Sequence, residues 1–121
     1  MKTALITHSD CLAHVTPPGH PEQVARLEYI IDTLGAVDVM RIDAVLARKK
    51  DIATLHPMSY IEKLEEAIPE NGWAYIDGDT HMSPGSFLAA LRAAGGVIQA
   101  VDLVMTPSVK NAFVAVRPPG H

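Results

Sequence analysis

The sequence is poor in the features that staple, anchor or electrically charge a protein. It has one cysteine, Cys11, in 121 residues, which excludes an intramolecular disulfide and suits a reducing compartment. Its ten Lys and Arg are scattered, with Arg48-Lys49-Lys50 as the only run, and the formal net charge is −4. No basic face of the kind a phosphate backbone needs is present, so nucleic acid is not an expected partner. The opening apolar stretch, Ala4 to Ile6, is interrupted by His8, Ser9 and Asp10 and is too short for a secretory segment. No uninterrupted run approaches the roughly 18 apolar residues of a membrane span, so no membrane partner is expected. Together these absences predict a cytoplasmic protein. There is no Gly-x-Ser-x-Gly elbow for a nucleophilic serine, and Gly95-Gly96 lies within a helical pattern, not in a dinucleotide-binding turn. Internal repeats and low-complexity segments are also missing.

What is present is ample apolar material. With 48% hydrophobic and 20% charged residues the chain is globular. Its length allows at most one domain, residues 1–121, at the low end for a doubly covered sheet.

Hydrophobic periodicity gives the order of elements. Thr3 to Thr7 is apolar without alternation, the pattern of a strand buried on both faces. A loop with Pro17, Pro18 and Gly19 leads to Pro21, where the first turn of a helix tolerates it. Val24, Leu27, Ile31 and Leu34 share one helix face, with Gly35 as a left-handed stop. Val37 to Ile42 is a second strand, interrupted by Asp38 and Arg41. Asp51 caps a short turn through Leu55, and Pro57 opens a helix that Pro69 ends. A turn-rich stretch with Asn71-Gly72 and Asp77-Gly78 precedes Ser83-Pro84, a cap followed by a first-turn proline. The helix from Pro84 carries Phe87, Leu91, Ala94, Ile98, Val101 and Met105 on one stripe, with Leu88, Val97 and Val104 beside it. Only Gly85, Arg92 and Gln99 make a polar stripe, which predicts that most of this helix is covered. Gly95-Gly96 lowers its helix propensity in a way that close packing against a neighbour would explain. Pro107 ends it, and Asn111 begins a last strand running through Ala112 to Val116. Strand, helix, strand, helices, long helix, strand is the order of an α/β domain with a parallel sheet.

Candidate chemistry is sparse when read from residues alone. His8, His14 and His20 lie six apart on a loop, a spacing that matches no common zinc pattern, and capping or surface roles are the simpler expectation. His56, before a proline at a helix start, reads as structural. Arg26 lies beside the apolar stripe of its helix and a few residues past the loop; by pattern alone it is an exposed arginine. Asp77 and Asp79 in "YIDGDT" are of the type that forms Asx turns.

Five stretches, in order and covering nearly the whole chain, resemble the histone deacetylase family, particularly its bacterial and class II members. They are "GHPEQVARL" at 19–27, "ATLHPMSYIEKL" at 53–64, "DGDTHMSPGS" at 77–86, "AALRAAGGVIQAVD" at 89–102 and "AFVAVRPPGH" at 112–121. The resemblance implies an arginase/deacetylase-like fold, a parallel sheet flanked by helices, here its incomplete N-terminal part. It implies metal-dependent amide hydrolysis, with zinc or iron as the ion and acetyl-lysine or a small acetylated amine such as an acetylpolyamine as substrate. In the family "RPPGH" continues into a second histidine, so His121 matches the first of a catalytic pair that moves protons and steadies the oxyanion. Arg26 matches the arginine of an internal pocket, which predicts an inward guanidinium paired with carbonyls or an acid. Asp79 matches the acid at the rim that grips substrate, with Asp77 as its rival. The metal ligands and the transition-state tyrosine of the family lie downstream, so zinc is expected of the full-length protein and no metal ligand is assigned in this chain. The 121 residues are accordingly expected to be an inactive N-terminal portion, and a homo-oligomer of the full-length protein is left open. Two other classes remain: a non-catalytic interaction module on part of the same fold, and a flavodoxin-like or receiver-like domain whose acidic cluster is reduced to Asp10.

Overall fold

The computed structural model describes residues 2–120. Three parallel strands form the sheet: β1 (Thr3–Thr7), β2 (Met40–Asp43) and β5 (Asn111–Val114), in the order β2-β1-β5. The first strand is therefore central. Ala4 is opposite Met40 on one side and Ala112 on the other. Because successive side chains of a strand point to opposite faces, β1 feeds two cores. Ala4 and Ile6 pack with Ala44 and Val109 under Ala100 and Leu103. Leu5 packs with Cys11, Leu27 and Ala115 under Ile30, Ile31 and Leu34. Helix α4 (Ser86–Met105) supplies the first cover and α1 (Val24–Thr33) the second. This two-sided burial is why the unalternating run Thr3 to Thr7 reads as a strand with its observed limits.

Several local expectations shift. Helix α1 begins at Val24 after Gln23, so Pro21 precedes its first turn, and it ends at Leu34 in a right-handed conformation. Gly35 lies in a 3-10 turn and not in a left-handed stop. The open carbonyls there are satisfied by Arg41, which donates to Leu34 and Gly35 at 2.6 and 3.2 Å. Strand β2 is confined to Met40–Asp43. In the short helix α2 (Lys49–Ile52), Asp51 is in the first turn and reaches back to the Arg48 N–H at 3.3 Å. Helix α3 (Met58–Glu66) follows Pro57. The turn-rich stretch contains a two-residue hairpin, β3 (Ala74–Tyr75) with β4 (His81–Met82), antiparallel. Helix α4 starts two residues beyond Pro84, with Ser86 Oγ accepting from the Ser83 N–H at 2.7 Å.

The long helix differs most from expectation. Its sheet-facing side carries Gly96, Ala100 and Leu103, whereas Val97, Ile98, Val101 and Met105 are exposed. The large apolar stripe thus points away from the sheet, and most of it is uncovered. By length and composition α4 would also suffice to cross a membrane, with mean hydropathy 1.6 over 18 residues; in this fold it is the helix that covers one sheet face. Its polar stripe grips the loop after β2: Arg92 donates to the Ala44 carbonyl and to Asp10, both at 2.8 Å, and Gln99 Oε1 accepts from the Val45 N–H at 3.1 Å. The Ala47 N–H reaches the Leu91 carbonyl at 2.9 Å. That loop crosses α4 at Gly95, where a Cβ would overlap the Val45 carbonyl oxygen and come within 2.7 Å of the Ala47 nitrogen. The expected close approach at Gly95-Gly96 is this crossing.

Candidate active site

Open parallel sheets bind ligands beyond the carboxyl ends of their strands, and the cleft here is in that position. From β1 the chain passes through a 3-10 turn, Ser9–Ala13, into the loop bearing His14 and His20. From β5 it continues through Ala115 and Val116 to Arg117, Pro118 and Pro119. The β3–β4 hairpin closes the third side, held to the loop by a 2.7 Å bond from Trp73 Nε1–H to the Val15 carbonyl. Between them lies a cavity of about 410 Å³, its polar wall formed by His14, His20, Asp77, Asp79 and His81, its apolar wall by Tyr60, Leu64 and Phe87, with Pro118 and Pro119 at one edge.

His14 is buried, its Nδ1 2.6 Å from Ser86 Oγ. Ser83 Oγ bonds Ser86 Oγ at 3.0 Å and accepts from the Val15 N–H at 3.0 Å. Burial, then the nearby Arg117 charge, push the His14 pKa below the usual histidine value, so the imidazole is held neutral. The tautomer of His20 follows from its neighbours. Nδ1 accepts from the Glu22 N–H at 3.1 Å, so Nε2 carries the proton and donates to the Asp79 carbonyl at 2.8 Å. His20 therefore ties the loop to the hairpin tip. His81 meets His20 edge-on at 5.7 Å and Tyr75 at 4.7 Å between ring centres. Its Nδ1 is buried without a hydrogen-bond partner among the described residues. His8 caps the 3-10 turn, its Nδ1 accepting from the Asp10 N–H at 2.9 Å.

Asp77 and Asp79 both line the cleft, on the exposed tip between β3 and β4. Asp77 Oδ1 accepts from the Asp79 N–H at 3.1 Å. Hydrogen bonds from Asp79, backbone first, and from Thr80 hold the Asp77 carboxyl below its ordinary range. Asp77 thus organises the turn, while the Asp79 backbone is the part bound by His20.

The expected inward Arg26 is corrected. Its side chain is 47% exposed and bonds Glu22 one turn back at 3.2 Å, because its position beside the apolar stripe faces solvent at the helix start. The buried arginine is Arg117, with no exposure. Its Nε donates to the Glu22 carboxylate, Nη1 to the carbonyls of Cys11 and His14, and Nη2 to the Glu22 carbonyl. Sequence reasoning missed Arg117, Glu22 and the His14–Ser86 pair. The available signal for Arg117 was a charge placed directly after an apolar strand and before two prolines, a position with little path to solvent.

His121, the expected proton-handling residue, lies outside the described residues. Among residues 2–120 no group of three or more His, Cys, Asp or Glu side chains is arranged to hold a metal ion. The described residues therefore do not fit the zinc expected of the family.

The histone deacetylase domain model matches residues 20–121, and the chain belongs to that family. It is 35% identical to a probable deacetylase of Archaeoglobus fulgidus, covering 100% of this chain and 35% of that protein. It is 33% identical to the histone deacetylase-like amidohydrolase of Pseudomonas aeruginosa, covering 88% of this chain and 30% of that protein. Among solved structures, the HDA15 HD domain superposes with a TM-score of 0.87 at 25% identity, over 99% of this chain and 36% of that one. The chain spans about a third of the length of each of these relatives.

Proposed function

We propose that this chain forms one wall of the amide-hydrolysing site of a deacetylase acting on acetyl-lysine or acetylated polyamine-like substrates. The supporting observation is the cleft at the carboxyl ends of the parallel strands, bounded by the acidic hairpin tip and by the Pro118-Pro119 segment that leads to His121. The names of the relatives, deacetylase and amidohydrolase, agree with it. Asp79, with Asp77 as the alternative, grips substrate at the rim. His121 handles a proton as charge develops at the acetyl carbonyl. A zinc ion would have to be held by residues other than 2–120, which offer no ligand set for it, and would supply polarisation of that carbonyl. The buried free thiol of Cys11 suits a reducing cytoplasmic setting. In this proposal the 121-residue chain is inactive by itself.

A second reading, a non-catalytic interaction module, is favoured by one observation: the uncovered apolar face of α4 at Val97, Ile98, Val101 and Met105. Deacetylation assays on acetyl-lysine and acetylpolyamine separate the two. The chain alone should show no turnover and no stoichiometric zinc binding. In a chain extended to the length of the relatives, His121→Ala should lower turnover by roughly 10²–10⁴ with a much smaller effect on KM. Turnover within a factor of about two of the parent would remove the catalytic assignment, and an extended chain without activity would favour the second reading.

A further inference from the structure

Two segments of the site come from opposite ends of the chain: the His14–His20 loop after β1, and the Pro118-Pro119-Gly120 segment after β5. Backbone pairing between β1 and β5 ends with the Ala115 N–H to Ile6 carbonyl bond at 2.9 Å. Beyond that point, among the described residues, the hydrogen bonds from the exit of β5 to the loop after β1 are made by one side chain, Arg117. We propose that Arg117 is the positioning residue of the site, fixing the His14–His20 loop and the segment leading to His121 as a single body. The inference rests on the deacetylase reading for its purpose, though not for its geometry.

A guanidinium has five N–H donors in a rigid fork, and four are placed here. Nε–H donates to Glu22 Oε2 at 3.2 Å, and Oε1 of the same carboxylate lies 2.9 Å from Nε as an ion pair. Nη1 takes the Cys11 carbonyl at 3.1 Å and the His14 carbonyl, and Nη2 takes the Glu22 carbonyl at 3.2 Å. The three carbonyls span the 3-10 turn, the loop and the approach to α1, so one planar group fixes three points of the loop relative to β5. A lysine has the charge but not the fork. The charge is matched by Glu22, which is mostly buried and also bonds Arg26 at its exposed side. The unpaired alternative, a buried guanidinium without an acid, would be costly. Among the described residues the Arg26 side chain hydrogen-bonds Glu22 and none of the loop carbonyls. The Arg117 charge also acts on His14, together with Glu22 and His20, which links the position of the loop to the state of its imidazole.

NMR on the 121-residue chain tests this without turnover. In the unsubstituted protein, the Arg117 Nε–H should exchange with solvent far more slowly than that of Arg26. In Arg117→Lys, the Gly120 amide and the His14 imidazole resonances should both shift or broaden, whereas Arg26→Lys should leave both in place. Unmoved Gly120 and His14 signals in a folded Arg117→Lys chain would overturn the proposal, as would equal disturbance by Arg26→Lys. Should Arg117→Lys fail to fold, the exchange comparison decides: equal exchange at Arg117 and Arg26 overturns the proposal. None of these signals depends on deacetylation, so loss of the functional reading and loss of this one are separate results.

Discussion

Alanine at Gly95 and alanine at Gly96 should have different effects, although the two are adjacent in one helix. Replacing a helical glycine by alanine gains about 1 kcal/mol of propensity. At Gly96 the new methyl meets side-chain atoms, Ala44 Cβ at 3.2 Å and the terminal methyls of Ile6 and Val114 at 3.4 Å. The two branched methyls are at ordinary contact distance and only Ala44 Cβ, which moves with its backbone, must give by a few tenths of an ångström, so the net change should be within about 1 kcal/mol of zero. At Gly95 the methyl meets backbone, the Val45 carbonyl and the Ala47 nitrogen. The loop must move off the helix, at an overpacking cost of about 1–3 kcal/mol. Its Ala47–Leu91 bond weakens as well, adding about 1 kcal/mol or more. After subtracting the propensity gain, Gly95→Ala should be destabilised by about 1–3 kcal/mol, a fall in Tm of roughly 4–12 °C for a chain of this size. Urea denaturation of the three proteins measures this directly through the midpoints at constant m. A Gly95→Ala chain as stable as the parent would refute the crossing of α4 by the loop after β2.

Stability should decline as pH falls through the usual histidine value of 6.5, because the unfolded chain takes up a proton there that folded His14 resists. His14→Gln should flatten that slope, and an unchanged pH profile would count against a neutral buried imidazole. Burial raises the Cys11 thiol above its ordinary value, so a thiol reagent at pH 8 should label it only as fast as the fold opens; prompt labelling would contradict this. Trp73→Phe keeps a ring but deletes the bond to Val15, and should lower stability by about 0.5–1.5 kcal/mol with faster amide exchange in the hairpin; no change in either would mean that the bond does not hold the hairpin.

The legible parts of the fold were those decided by burial on both sides. Thr3 to Thr7 has no polar alternation to mislead, and Pro57 and Pro107 bracket helices by removing donors. The paired glycines of α4 reported a close approach correctly, since nothing else explains two such residues mid-helix. Other features depended on partners distant in sequence. Gly35 was read as a stop because its pattern is the usual one, but Arg41 from the next strand satisfies the carbonyls and no left-handed residue is needed. The hairpin at Ala74 and His81 has only two pairs, too few for a periodicity. The apolar stripe of α4 was identified, but its direction was not: periodicity says which residues share a face, and the face with the small residues Gly96 and Ala100 packs on the sheet, where they allow a closer approach. In the candidate site Asp77 and Asp79 were visible as a turn, whereas the burial of Arg117 in place of Arg26 required knowing that Cys11, His14 and Glu22 converge on the exit of β5.

The order β2-β1-β5 also sets when these three strands can pair. The central strand is made first and acquires its second neighbour last: Thr3 is paired with Asn111, 108 residues later. At roughly 5–20 residues per second of synthesis, β1 waits about 5–20 s with one edge and much of both faces unsatisfied. Pairings of such long sequence separation require loop closure before they return any contact energy, so they form slowly. The stretch that waits, Ala4, Leu5 and Ile6, is also the most completely buried of the three strands. During synthesis it is therefore a short apolar strand with open edges, the kind of segment that a chaperone binds or a neighbouring nascent chain pairs with, until residue 111 arrives.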